Sequence, residues 1–205
     1  MIKEISLSDI DDVVSVHMQS LPQDIFPLLG KNFLTRFYSA ALQSDYCMIL
    51  GFYQETRLQG FIFLTTQSDK VIPDIISKNF FGIMKSAISG VIKNVSLLKG
   101  LVWNSARMFF SRKKNLISSA IGPEIFFIVV RSDSRSKNIG SALIDQAKSF
   151  FVNRGYHQMK VKTLKYDNGA VIEFYKKNGG EILEEFIFFE RTYLYLKFEL
   201  ILSDT

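Results

Sequence analysis

The chain is short of several residue types that carry familiar chemistry: one cysteine and two histidines among 205 residues. A lone Cys47 excludes an intrachain disulfide and any metal site built on a cysteine cluster, and it fits a reducing compartment. Cys47 opens an apolar run, where a thiol packs as a small hydrophobe rather than reacting. No stretch of about 18 uncharged apolar residues is present to span a bilayer. Glu4, Asp9, Asp11 and Asp12 break up the N-terminus and argue against a signal peptide. Gly-x-Ser-x-Gly, His-Glu-x-x-His and a Walker loop are all missing, so no common hydrolase or nucleotidase signature competes.

One more absence is local. From Ile75 to Pro123 there is no acid, while Lys78, Lys85, Lys93, Lys99, Arg107, Arg112, Lys113 and Lys114 all fall there. The net charge of +5 therefore belongs to this segment, because the remainder holds 25 − 8 = 17 basic against 20 acidic residues. The apolar fraction of 47%, with 19 Phe, is ample for one core, so residues 1–205 are expected to form a single domain.

What is present centres on residues 124–151. Ile125–Val130 is a β-branched and aromatic run that reads as a buried strand. A polar loop, Arg131–Asn138, follows. Ile139, Ala142, Leu143, Ala147, Phe150 and Phe151 then recur at helical spacing. Strand, basic loop and helix in this order aim first-turn amides and a positive dipole end at one place, which suits an anion.

The loop resembles the cofactor motif of the GNAT N-acetyltransferase family, Arg/Gln-x-x-Gly-x-Gly/Ala, in the form Arg135-Ser136-Lys137-Asn138-Ile139-Gly140 followed by Ser141. Asn138 stands where the first family glycine belongs and Ser136 where a further glycine is common. Asn is the best non-glycine residue for a left-handed backbone. A second block, Asn168 to Gly180, resembles the family's Asn-x-x-Ala/Val-x-x-Phe-Tyr-x-x-x-Gly-Phe, with Asn168, Ile172, Phe174, Tyr175 and Gly179 matching and Gly180 in place of the final Phe. Asn168 and Tyr175 are two helical turns apart and face the same way.

The resemblance implies an α/β GNAT acyl-CoA acyltransferase fold: a mixed central sheet flanked by helices, with a helical insertion between strands 3 and 4. The order of the first half agrees with it. A strand at Ile2–Ser6 and a helix over Ile10–Ser20 come first, and a second helix over Leu28–Ser44. Two strands, Tyr46–Gln54 and Leu58–Gln67, follow. Gln158–Leu164 reads as a further strand with Gln158, Lys160 and Lys162 on its polar side. Glu181–Glu190 and Tyr193–Ile201 close the sheet around Arg191-Thr192. Residues 68–123 are the insertion. There Phe80, Met84, Ala87, Val91, Val95, Leu98, Val102 and Phe109 share one side of a helical wheel, and lysines the other. A rod of that length is expected to break, at Lys99-Gly100.

The resemblance further implies direct transfer of an acetyl group from acetyl-CoA to a primary amine, with no metal. Ile128, Val129, Val130, Arg135, Ser136, Lys137, Asn138, Ile139, Gly140, Ser141, Asn168 and Tyr175 would hold the cofactor, with a strand bulge near Val130 presenting backbone N–H to the oxyanion. Tyr175 would protonate the leaving thiolate, and Glu124 is the carboxylate best placed as base. His17 would border the acceptor, against the plainer reading of a helix histidine. The basic insertion suggests an anionic acceptor, such as a nucleotide-linked amino sugar. It leaves open a protein or RNA-linked amine, a homodimer, a nucleic acid or an anionic membrane surface; the protein is expected to be cytoplasmic, with a peripheral place at the inner membrane face also open. A non-catalytic acyl-CoA-binding homologue is the alternative from another class.

Overall fold

In the computed structural model, residues 1–93, 120–188 and 191–200 are described, with only the backbone of residue 188. Apolar residues at alternating and helical spacing assemble β1 (Ile2–Glu4), α1 (Ile10–Ser20), α2 (Ile25–Leu28), α3 (Lys31–Ala41), β2 (Cys47–Gln54) and β3 (Arg57–Thr65). Then come α4 (Val71–Lys78), α5 (Phe80–Lys93), β4 (Glu124–Val130), α6 (Ile139–Val152), β5 (Gln158–Leu164), α7 (Gly169–Lys177), β6 (Gly180–Phe188) and β7 (Arg191–Glu199). The strands form one sheet in the order β1-β2-β3-β4-β5-β7-β6, antiparallel except for β4 beside β5.

β3 is apolar on both sides because both sides are covered. Phe61 and Phe63 join Val13, Leu34, Phe37 and Tyr38 on the face packed by α1 and α3. Ile62 and Leu64 join Leu143, Ala147 and Phe151 on the face packed by α6. Each of these large side chains contributes about 1.5–3 kcal/mol by leaving water. The spans of α1 and β5 match the sequence reading, and the second helix does not. Gly30 has φ +94°, so the chain turns there and α2 is a separate short helix before α3. β7 already includes Arg191 and Thr192, which moves the hairpin turn off them.

Two helices, α4 and α5, stand between β3 and β4. They break at Asn79 (φ −150°); the break expected at Lys99-Gly100 lies outside the described residues, as do Val95, Leu98, Val102 and Phe109. The packed side of α5 is Ile83, Ser86 and Gly90, rather than Phe80 and Met84, which are exposed. The reason is close approach: a Cβ on Gly90 would meet the Leu29 backbone, so small residues win this contact. Lys78 takes its acidic partner from just outside the acid-free stretch, Asp74 at 3.7 Å.

Candidate active site

β4 and β5 are parallel neighbours, yet their ladder holds only Glu124 with Lys160 and Ile125 with Val161. Past these pairs the strands diverge, and β4 pairs with β3 alone from Phe127 to Val130. The gap is a cleft of about 830 Å³. Its β4 edge offers backbone N–H and C=O groups that an extended amide chain can pair with. Both faces of the sheet contribute to its walls.

On the α6 face the wall is the loop after β4. Ser134 and Gln59 are buried, and the Ser134 hydroxyl donates to Gln59 Oε1 at 2.6 Å, pinning the loop to β3. Asp133 is engaged by Arg131 and Arg57, both at 3.3 Å. Hydrogen bonds from Arg131 and Ser134 hold its carboxyl below the ordinary range. The chain then makes two left-handed residues, Ser136 (φ +62°) and Asn138 (φ +59°), the two positions where the family motif favours glycine. Asn138 occupies the cap position of α6 without capping it by its side chain. The first-turn amides of Ile139, Gly140 and Ser141 therefore stay open to the cleft that these residues line. Gly140 is required by packing, because a Cβ there would come 2.8 Å from the Phe174 ring.

Arg135 also lines the cleft, and its guanidinium donates to the Ser20 carbonyl at 3.2 Å, spanning to the end of α1. Ser136, Asn138, Ile128, Val129 and Val130 complete this wall, while exposed Lys137 is not part of it. Asn168 and Tyr175 both line the cleft from α7. The Asn168 amide donates to Thr163 Oγ1 (2.7 Å) and the Leu164 carbonyl (3.1 Å), tying α7 to the end of β5. Tyr175 is 4% exposed and packs against Phe174 and Phe198. Burial pushes its phenol well above the ordinary tyrosine range, so it is protonated at neutral pH.

The α1 face departs further from expectation. The register of β4 against β3 slips at Phe126, since Phe63 faces Phe127 and Leu64 faces Ile125. The bulge is thus four residues before the Val130 expected for it. Its effect is to turn both Phe126 and Phe127 toward the α1 side, where alternation would have sent only one. Phe26, Phe127 and Phe126 form an edge-to-face row with centroids 5.0 and 4.9 Å apart. Lys162 from β5 has its ammonium 5.8 Å from the Phe126 ring and 5.9 Å from the Tyr193 ring. Asp24, Lys162, Arg191 and Tyr193 line this side. None of Phe26, Phe126, Phe127, Lys162, Arg191 or Tyr193 stood out in the sequence, because they come from four separate elements and share no motif.

His17 and Glu124 are not in the cleft wall. His17 is fully buried behind Phe127 (centroids 5.1 Å), with Nδ1 2.6 Å from the Tyr38 hydroxyl. Burial depresses its pKa to about 4, so it is a neutral core histidine rather than an acceptor contact. The Glu124 carboxylate is 3.7 Å from the Lys160 ammonium, each side chain 4% exposed. Burial raises the Glu124 pKa and lowers that of Lys160, against their mutual attraction. Lys160 is therefore interior, contrary to its reading as part of a polar strand face. Cys47 donates to the Ala41 carbonyl, and burial pushes its thiol up to about 12, so it forms no thiolate. Among the described residues there is no group of three or more potential metal ligands, and no helix is long and apolar enough to cross a membrane.

Residues 109–180 match the model of the acetyltransferase (GNAT) family. No curated protein matches the sequence. Among solved structures, the PaiA N-acetyltransferase of Thermoplasma acidophilum in complex with coenzyme A is 14% identical, with a TM-score of 0.59 over 97% of this chain and 98% of its own. The ribosomal-protein-S18-alanine N-acetyltransferase of Escherichia coli is 10% identical, with a TM-score of 0.60 over 99% and 95%. An aminoglycoside 6'-acetyltransferase type Ii is 14% identical, with a TM-score of 0.62 over 99% of both chains. These likenesses are of fold.

Proposed function

We propose, starting from the match of residues 109–180 to the GNAT acetyltransferase family, that the chain moves an acetyl group from acetyl-CoA to a primary amine by direct attack. The observation that carries the reading is the gap between β4 and β5 with open α6 amides at one wall and Tyr175 in it. Arg135, Ser136, Asn138 and the Ile139–Ser141 amides suit the pyrophosphate, by charge and by the helix N-terminus. The free edge of β4 over Ile128–Val130 suits the amides of the pantetheine arm. Asn168 holds α7 so that Tyr175 faces the same cleft.

In the reaction the neutral amine nitrogen bonds to the thioester carbonyl carbon, and the carbonyl becomes an oxyanion. The C–S bond then breaks, the acetamide forms, and the thiolate takes the Tyr175 phenolic proton. The raised pKa keeps the phenol protonated at neutral pH, so its hydroxyl is there to donate to the sulfur as the C–S bond breaks. Glu124 is not the base in this scheme, because its carboxylate is held by Lys160 away from the cleft. The amine loses its proton to water in the open cleft, and the Tyr175 phenolate regains one from the same water.

The acceptor we favour is small and anionic, a nucleotide-linked amino sugar being one example. Its support moves from the insertion, whose Lys78 and Lys85 are not in the cleft wall, to Lys162 and Arg191, which are. A second reading is an acyl-CoA-binding protein without turnover. It is favoured by the two non-glycine residues at left-handed positions of the pyrophosphate loop, while the presence of Tyr175 speaks for catalysis.

The test is thiol release from acetyl-CoA in the presence of amines. Wild-type protein should show it, and Tyr175→Phe should lower kcat by about 100-fold or more with little change in coenzyme A affinity. Binding of coenzyme A without thiol release from any amine would favour the second reading. An unchanged kcat in Tyr175→Phe would remove the acid role.

A further inference from the structure

The α1 side of the cleft carries a charge pattern that selects among amines. Among the described residues that line it, the cations are Lys162 and Arg191 and the one carboxylate is Asp24. Asp24 is committed: its Oδ1 accepts from the Ile25 amide at 2.7 Å and caps α2. Arg191 and Lys162 stand on adjacent strands around Tyr193. Burial, and then the Asp24 charge, raise the Tyr193 pKa, with the Arg191 charge working against them, and the Lys162 ammonium lies 5.9 Å from its ring. Beside Lys162 lies the Phe26–Phe127–Phe126 row, present as a continuous apolar wall only because the bulge turns Phe126 inward.

A polycationic amine meets two like charges here, one of which, Lys162, also stabilises the buried Glu124 carboxylate, and one occupied carboxylate. An amine with an acidic group meets two donors that carboxylate or phosphate oxygens bind strongly. Its remaining body faces aromatic rings, which reward a planar or apolar surface.

We infer that the acceptor is an acidic amine with an apolar or planar body: its carboxylate or phosphate is held at Lys162 and Arg191, and its body lies on Phe26, Phe126 and Phe127. The inference rests on the acetyl-transfer reading for the amine's fate, but not for its binding. It also separates this cleft from an aminoglycoside site, despite the shared fold, because an aminoglycoside brings several ammonium groups and no acid.

The experiment is calorimetric binding to the full chain loaded with coenzyme A, using matched probes. Benzylamine is compared with 4-(aminomethyl)benzoate, and glucosamine with glucosamine 6-phosphate, with spermidine as the polycation. The acidic member of each pair should bind at least tenfold tighter than its neutral partner, and spermidine weakest of all. The benzoate pair reports on carboxylate and the sugar pair on phosphate. Lys162→Gln and Arg191→Gln should each erase most of that advantage while leaving coenzyme A affinity unchanged. Phe126→Ala should weaken 4-(aminomethyl)benzoate more than glucosamine 6-phosphate. Equal affinity within both pairs, or tighter spermidine, overturns the inference even if thiol release is observed. Retained preference for the acids without thiol release sinks the transfer reading and keeps this one.

Discussion

The two faces of the cleft are built in different ways. On the α6 face the wall is backbone: two left-handed residues, an uncapped helix start and a glycine that admits Phe174. On the α1 face the wall is side chain: three phenylalanines, two cations and a tyrosine from α2, β4, β5 and β7. The first arrangement comes from one stretch of about a dozen residues and, on the proposed reading, suits whatever presents a phosphate to open amides. The second comes from residues more than 160 positions apart and can be changed one side chain at a time. The proposed transfer, with a common donor and a variable acceptor, calls for this division, with the fixed part in the main chain and the adjustable part in side chains.

If the comparison holds, the α1 face should be the more fragile under side-chain substitution. Lys160→Met leaves the buried Glu124 carboxylate without its nearest ammonium. It should cost about 3–5 kcal/mol in urea denaturation, and Glu124→Leu added to it should recover most of the loss. A cost under about 1 kcal/mol for Lys160→Met would mean that the pair is replaceable by Lys162, which also stabilises the carboxylate.

The pH dependence gives a somewhat smaller effect on the same face. His17 is held neutral, with a folded pKa of about 4 against an ordinary 6.5. Between those values the unfolded chain binds the extra proton, so stability rises with pH there. The contribution is complete above pH 6.5 and is lost as the pH falls toward 4, amounting to about 3 kcal/mol. His17→Phe should remove that increment of slope from a series of denaturation curves at pH 4 to 7. An unchanged slope would show that the loss at low pH comes from other groups.

The smallest change belongs to the backbone-built face. Ser136→Gly relieves a left-handed conformation that costs an L-residue about 1–2 kcal/mol, partly offset by the greater freedom of unfolded glycine. It should raise stability by about 0.5–1 kcal/mol, while Asn138→Gly should be nearly neutral because Asn tolerates that backbone. Destabilisation by Ser136→Gly in thermal melts would show that the serine side chain holds the loop, and the contrast between the faces would weaken.

The sequence by itself determined what depends on neighbours along the chain. The strand, loop and helix of residues 124–152 are read from periodicity, and the left-handed turn from an asparagine at the family's glycine position. The spans of α1 and β5 follow from caps and alternation. Asn168, the cap residue of α7, and Tyr175 both line one cleft because about two helical turns separate them. Tertiary structure decided the rest. That β4 and β5 part after two pairs, that β4 bulges at Phe126 and that Gly90 presses α5 onto Leu29 are relations between distant residues. The burial of Lys160 and His17 is of the same kind: a lysine in an alternating strand reads as solvated until a carboxylate from another strand is set beside it. A histidine near a helix end reads as a surface group until Tyr38 and Phe127 close over it. Burial and partner choice are set by which elements pack together, and single-residue polarity carries no record of that.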